Sequence, residues 1–248
     1  MTKLLNSFGP DLRVIIVGAS GGIGQAFLAE FEKSPQVKEI FALSRKPHAN
    51  TEGKVSAMAM DFTDEDSVAA SATTLKEGGP FDIILIATGL LHGEGISPEK
   101  NMRAINHGSF LKSFEVNTVG PALCAKHFLP LLRPDTKTVF AALSARVGSI
   151  SDNRLGGWYA YRASKAALNM LLKTLSIEFG RRRPKAVICG LHPGTVDTGL
   201  SAPFQGNVPE GKLFTPEFSV KKMIKVIDDV SGENTGALFA WDGKKIEF

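Results

Sequence analysis

Tyr161 and Lys165 stand four residues apart, and Ser144 precedes Tyr161 by seventeen. Residues i and i+4 share one face of a helix, so the phenol and the ammonium are neighbours. A phenol titrates near pH ~10, and moving a proton near neutrality requires its anion to be stabilised by about 3 units, roughly 4 kcal/mol. A close lysine supplies such stabilisation. Any helix can hold Tyr and Lys at this spacing; what gives the pair meaning is its company. Ser144 follows the apolar run Lys137–Ala142, so its hydroxyl is expected at the carboxyl end of a strand, the edge where open α/β sheets bind ligands. Asn117 lies in a helical stretch among apolar residues, where an amide either bonds to backbone or orders a water.

A second motif near the start of the chain supplies the partner for a proton-moving pair. Gly18-Ala-Ser20-Gly-Gly22-Ile23-Gly24 sits between the first apolar run and the first helical pattern. Glycines there let the backbone turn tightly and approach a pyrophosphate, and the free N–H groups of the helix start face the phosphates. A proton-moving pair beside a dinucleotide implies hydride chemistry on a carbonyl or an alcohol. The end of the second strand selects the cofactor. An NAD site usually places Asp or Glu there for the ribose 2′-OH, whereas this chain has Leu43-Ser44-Arg45-Lys46. The planar fork of Arg45 suits a 2′-phosphate and Ser44 can add a hydrogen bond, so NADP(H) is expected over NAD(H). Asp61-Phe62 ends the third strand at the same edge. Its carboxylate either accepts from the adenine amino group or simply begins the next helix.

The elements that must position these groups alternate along the chain. Apolar runs predict strands at Arg13–Val17, Glu39–Leu43, Val55–Met60, Asp82–Ile86, Lys137–Ala142, Ala186–Gly190 and Ala237–Ala240. Helical patterns fall at Gly22–Lys33, stopped by Ser34-Pro35; from a cap at Thr63 or Asp64 to about Lys76; over Ser97–Leu132 with a break near Asn106–Gly108; and at Tyr159–Gly180 and Pro216–Val230. Strands apolar on both faces, alternating with helices, predict one α/β domain: a Rossmann-type doubly wound sheet of about seven mainly parallel strands with helices on both faces, spanning residues 1–248.

Bulk composition narrows the class. Apolar residues are 43% of the 248, enough for a sizeable core. The longest apolar stretches, around Val14–Val17 and Phe81–Ile86, are strand-length, so no membrane span is expected. Met1–Leu12 lacks a secretory pattern. Cys124 and Cys189 lie far apart without metal-ligand spacing and read as buried thiols, which fits a reducing cytoplasm. His92, His107, His127 and His192 share no metal-binding spacing either, and His192 reads as a packing or backbone-bonding residue. Net charge is +4. The densest basic run, Arg181-Arg-Arg183-Pro-Lys185, follows a helix and reads as a solvated C-terminal cap. No aromatic residues interleave with it as a nucleic-acid stacking platform requires.

Taken together, these residues resemble the short-chain dehydrogenase/reductase family over essentially the whole chain. The resemblance rests on the Gly18-x-x-x-Gly22-x-Gly24 turn, Asp61, Asn117, Ser144, Tyr161-x-x-x-Lys165, and Pro193-Gly194 with Thr198. The stretches Ser144-Ala-Arg-Val-Gly-Ser-Ile, Asp152-Asn153 and Gly156-Gly-Trp-Tyr-Ala-Tyr161-Arg-Ala-Ser-Lys165-Ala-Ala-Leu-Asn are most similar to the C-factor and sniffer-type carbonyl reductase branch. The resemblance implies that Tyr161 donates the proton in a reduction and that Lys165 binds the nicotinamide ribose and depresses the Tyr161 pKa. It implies that Ser144 polarises the substrate carbonyl and that Asn117 holds a water relaying protons to Lys165. Pro193, Gly194, Val196 and Thr198 would border the nicotinamide, with Ser20 and Ile23 of the glycine turn and Ala87-Thr88-Gly89 also touching the cofactor. The chain departs from the family's habit in having Val17 before the first glycine and Ala87-Thr88-Gly89 where Asn-Ala-Gly is usual. Its Ser144-to-Tyr161 interval is also a few residues longer, which suits the branch.

Beyond the shared machinery, Trp158 and Tyr159 flank the catalytic helix and can line a substrate mouth, an interface or core. Leu90, Leu91 and the Leu200–Phe214 segment suggest a mobile lid over an apolar substrate. Small residues Ala163, Ser164, Ala166 and Ala167 permit close helix approach, and the resemblance implies a homodimer or homotetramer. The expected function is NADP(H)-dependent reduction of a small ketone, aldehyde or quinone. The rival reading is a nucleotide-binding signalling protein of C-factor type in which turnover is secondary.

Overall fold

The computed structural model describes residues 5–47, 53–93 and 95–248. Residues 1–4, part of the segment read for a secretory pattern, lie outside them. The strands form where the apolar runs predicted them: β1 (Leu12–Val17), β2 (Val37–Ser44), β3 (Val55–Ala59), β4 (Ile83–Ile86), β5 (Thr138–Leu143), β6 (Ala186–His192) and β9 (Leu238–Ala240). An eighth, β10 (Lys245–Ile246), adds an antiparallel edge. The sheet order is β3-β2-β1-β4-β5-β6-β9-β10. It therefore reverses direction between β1 and β4, the switch point at which doubly wound sheets open a crevice.

Register turns that crevice into one level edge. Val17 pairs with Leu43 and with Ile86, and Ile86 pairs with Ala142. The segments that follow, at Gly18, Ser44, Ala87 and Ser144, therefore leave the sheet side by side. The strands are held in place by what they bury. Val14 and Ile16 of β1, with Ile83 and Leu85 of β4, face α1 (Gly22–Lys33) and α6 (Pro216–Asp229). Ile15, Val17, Ile84 and Ile86 face α2 (Glu65–Lys76), α4 (Gly120–Phe128) and α5 (Tyr159–Gly180). Phe27, Phe31, Phe128 and Phe140 are fully buried between these layers, each contributing about 1.5–3 kcal/mol of transfer free energy. Cys124 and Cys189 are buried in α4 and β6, and burial pushes both thiols up to about 12.

The caps follow the sequence closely. Asp64 accepts from the Asp66 N–H at the start of α2, and α1 stops at Lys33 with Ser34 as its cap. The predicted helix over Ser97–Leu132 needs correction. Residues 97–101 are not helical, a 3-10 turn covers Met102–Ala104, and α3 (His107–Phe114) begins only after Asn106, whose side chain caps it. Pro98 biases Ser97 away from the helical region, and both Asn101 and Asn106 spend their side chains on local backbone N–H groups. A π turn, Glu115–Val119, then joins α3 to α4. Its cause is legible: Pro121 has no N–H to offer the carbonyl of Asn117 four residues earlier, and its ring crowds that carbonyl. The Leu200–Phe214 segment is also more structured than a bare lid. It carries a 3-10 helix over Ala202–Asn207 and a strand, β8 (Leu213–Phe214), that pairs with β7 (Thr195–Val196).

Among the described residues no helix is long and apolar enough to cross a membrane.

One close approach holds the first turn. A Cβ on Gly24 would lie 2.2 Å from the carbonyl oxygen of Gly18, itself at φ +84. Gly24→Ala is therefore expected to destabilise the fold by about 1–3 kcal/mol, seen in calorimetry as a Tm lowered by roughly 3–10 °C. An unchanged Tm would mean that the turn yields and that helix α1 does not depend on this contact.

Candidate active site

Two adjoining cavities run along the level edge of the sheet. The first, about 310 Å³, is bordered by Gly18, Ser20, Ser44, Arg45, Asp61, Phe62 and Thr63. The second, about 290 Å³, is bordered by Gly22, Ile23, Ser144, Tyr161, Lys165, Pro193 and Thr198. Gly21, Ala87, Thr88 and Gly89 belong to both, so they form one groove. A third cavity of about 180 Å³ opens beside Ser144 and Tyr161 and takes in Pro193, Gly194 and Val196. Gly24 and Asn117 border none of the three. Gly24 serves packing, and Asn117 lies beneath the groove with 0% exposure.

At the first cavity, the Ser44 hydroxyl donates to the Lys46 carbonyl and so shapes the loop that presents Arg45. Arg45 is exposed. The Asp61 carboxylate accepts from both the N–H and the hydroxyl of Thr63. Those bonds, helped by the Arg45 and Lys112 charges, hold it below the usual carboxylate range. Asp61 thus makes the turn before α2, the second of the roles considered for it, and it also borders the cavity.

The second cavity holds the ionisable pair. Tyr161 is 9% exposed and Lys165 2%. Burial pushes the Tyr161 phenol up and the Lys165 ammonium down, the latter to about 7. The Lys165 Nζ donates to the Leu143 carbonyl at 2.8 Å and stands 5.9 Å from the Tyr161 ring centre. The Ser144 hydroxyl donates to Asn169 Oδ1 at 2.6 Å, and Asn169 Nδ2 donates to the Gly148 carbonyl at 3.3 Å. Asn169 was not singled out in the sequence. Its signal is its place, one turn beyond Lys165 on the buried face of α5.

Asn117 takes the first of its two sequence-level roles. Its Oδ1 accepts from the Leu90 N–H at 2.8 Å, and its Nδ2 donates to the Leu90 carbonyl at 2.8 Å and to Ser164 Oγ at 3.1 Å. His192 borders the third cavity with a buried, unpartnered Nδ1, and burial lowers its imidazole to about 4, so it is neutral. Two further residues escaped sequence reasoning. Glu99 caps α5 by accepting from the Ala160 N–H, and Phe204 packs on Trp158 with ring centres 5.1 Å apart.

The groove fits a nicotinamide dinucleotide: a glycine turn at its middle, a guanidinium at one end and a phenol–ammonium pair at the other. Comparison with known proteins agrees. The sequence profile of the short chain dehydrogenase family matches residues 13–208. The C-signal of Myxococcus xanthus is 34% identical over 143 residues, which is 57% of this chain and 80% of that protein. The NADPH-bound carbonyl reductase from chicken fatty liver superposes with a TM-score of 0.82 at 25% identity, covering 96% of this chain and all of that one. The carbonyl reductase Sniffer of D. melanogaster has the same fold, with a TM-score of 0.82, 22% identity and the same coverage. The chain belongs to the short-chain dehydrogenase family and is an NAD(P)-dependent oxidoreductase.

Proposed function

We propose that the protein reduces a carbonyl compound to its alcohol with NADPH. The observation that carries this reading is the joining of a buried Tyr161–Lys165–Ser144 set, in one groove, to an exposed arginine at the end of β2 where no acid stands. Bound NADPH would supply the hydride; the chain supplies position and the proton. Ser144 meets the carbonyl oxygen. Its single hydroxyl proton is given to Asn169 in the free site, so donation to substrate requires the hydroxyl to turn or the Asn169 amide to present its Nδ2 instead. Tyr161 gives its proton to the same oxygen. Burial keeps the phenol protonated but raises the cost of its anion, so donation depends on a neighbouring positive charge.

The donation leaves a phenolate in a dry site, and Lys165 answers it. A unit charge roughly 5–6 Å away contributes on the order of 3 kcal/mol at an effective dielectric of 20, or about two pKa units. Asn117 acts as a positioning residue that fixes Leu90 above the groove and Ser164 beneath Tyr161. A Cβ on Gly89 would sit 3.7 Å from both Asn117 Oδ1 and Lys165 Nζ; with glycine there, that approach to Lys165 stays open for a proton. At the other end Arg45 binds the 2′-phosphate. The alternative, a regulator in which nucleotide binding matters and turnover is secondary, is favoured by the likeness to the C-signal.

Tyr161→Phe separates the two. NADPH oxidation with a carbonyl substrate is expected to fall by about 10²–10⁴-fold, with NADPH affinity measured by fluorescence titration unchanged within threefold. No carbonyl turnover by the wild type despite tight NADPH binding would favour the regulator. Arg45→Ala is expected to weaken NADPH by about tenfold to a hundredfold, the loss of one charge-assisted bond, while leaving NADH nearly as before; equal losses for both would sink the 2′-phosphate assignment.

Lys165 also makes a stability prediction. Its ammonium titrates near 7 when folded and near 10.5 unfolded. Between those values the unfolded chain binds more protons, so this group's cost is fully present at and below pH ~7 and fades as pH rises towards 10.5. Lys165→Met, inert in turnover, should therefore be more stable than wild type at pH 7 by on the order of 2–4 kcal/mol. The margin should shrink by pH 10 in denaturant titrations. A destabilised variant at pH 7 would show that the Leu143 bond outweighs desolvation.

A further inference from the structure

The three residues before the catalytic helix all lie in left-handed backbone: Gly156 at φ 63, Gly157 at φ 66 and Trp158 at φ 52. Two glycines adopt this freely. A tryptophan does not, and a bulky side chain there is held by its surroundings. Glu99 does much of the holding. Its carbonyl accepts from the Trp158 N–H at 2.6 Å, and its carboxylate, 3% exposed as a residue, accepts from the Ala160 N–H at 3.2 Å. A carboxylate at the positive end of a 22-residue helix is well placed electrostatically. Arg162 ties the same turn from the other side, donating through Nε to the Gly157 carbonyl at 3.0 Å and through Nη1 to the Val147 carbonyl at 3.2 Å.

The product of this clamp is the placement of one ring. The Trp158 indole meets the Tyr161 ring edge-on at 6.3 Å and the Phe204 ring at 5.1 Å. His92 closes on the far side of Phe204 at 5.6 Å, its Nε2 bonded to the Gly199 carbonyl. Trp158 and Phe204 wall the third cavity, which Ser144 and Tyr161 also line together with Leu91, Val147, Val196 and Leu200. Its about 180 Å³ is a little above the ~150 Å³ that admits one benzene ring in an apolar protein cavity.

We propose that Trp158, set in place by Glu99, is the specificity-determining residue of this site and selects carbonyl compounds bearing a single aryl ring. The inference rests on the carbonyl-reduction reading above. The ring of the substrate lies against Trp158 with its carbonyl carbon over the groove and its oxygen at Tyr161 and Ser144; a second fused ring displaces Phe204. Glu99 acts as a positioning residue through Trp158 and does not touch substrate.

The test compares benzaldehyde with propanal, using NADPH, in wild type, Trp158→Ala, Trp158→Phe, Glu99→Ala and Glu99→Gln. The wild type should prefer benzaldehyde. Trp158→Ala should lose about tenfold in kcat/KM for benzaldehyde, equivalent to ~1.4 kcal/mol of ring packing, with propanal changed less than twofold. Trp158→Phe should recover most of the loss. Glu99→Ala, which keeps the carbonyl bond to Trp158 but removes the carboxylate cap at Ala160, should reproduce the benzaldehyde-selective loss in part, and Glu99→Gln, which keeps an accepting oxygen, should not. In a Trp241→Phe background Trp158 is the sole tryptophan, and Glu99→Ala should raise its quenching by acrylamide. Equal losses on both aldehydes, or wild-type preference for propanal, overturn the inference and leave carbonyl reduction standing. A wild type inert towards both aldehydes while binding NADPH overturns both readings.

Discussion

Three hydrogen bonds from one buried amide tie the catalytic parts together. Asn117 grips both backbone groups of Leu90 and reaches Ser164; Ser164 in turn donates to the Tyr161 carbonyl, and its own carbonyl accepts from Thr118. The exit of β4, the π turn and the first turns of α5 are thereby one unit. An amide with no exposure has no water to fall back on, and each unmet group costs about 1–3 kcal/mol. That penalty is what makes the arrangement rigid: a shift of the Leu90 loop or of α5 breaks a bond that nothing replaces. The position of Tyr161 is set as much by this amide as by its own packing.

The π turn makes the grip possible. Pro121 denies the Asn117 carbonyl its helical partner, the turn widens, and the helix re-forms as α4 from Gly120. Helical irregularity at a working residue is a recurrent way of aiming a group that a regular helix would point elsewhere. The cost of the lost helical bond is borne by the amide's three good ones.

The sheet was legible because each strand is a short apolar run ending at a turn signal, and parallel strands buried on both faces need no alternation to be recognised. The gathering of Ser144, Tyr161, Lys165 and the glycine turn along one groove was legible because it depends on residue type and spacing at strand ends and on single helices. Much of what escaped depends on contacts that a single segment does not show. Residues 97–101 look helix-compatible in isolation, yet Glu99 is drawn away to the start of α5, sixty residues on, where its carboxylate and carbonyl find N–H donors. Asn169 reads as an ordinary polar residue of a long helix until β5 places Ser144 against it. β10 is two residues long, too short for any periodicity, and exists because β9 offers it a free edge.

The ionisable pair shows why the fold tolerates a centre that works against its own stability. Burial raises the Tyr161 phenol and lowers the Lys165 ammonium to about 7, so near neutral pH the phenol is neutral and the lysine is poised between its two forms. In the proposed reduction, proton donation by Tyr161 to the substrate creates an anion that draws a proton from solvent onto Lys165, and the two charges then stabilise each other in the same low dielectric that had disfavoured each alone. A pair left in water would gain little from this mutual attraction, and a pair ionised from the start would tax folding by several kcal/mol. Coupling the appearance of both charges to the chemical step places the stabilisation where the transition state needs it. Their spacing of four residues on one face of α5 is what keeps the two groups close enough for that coupling to hold.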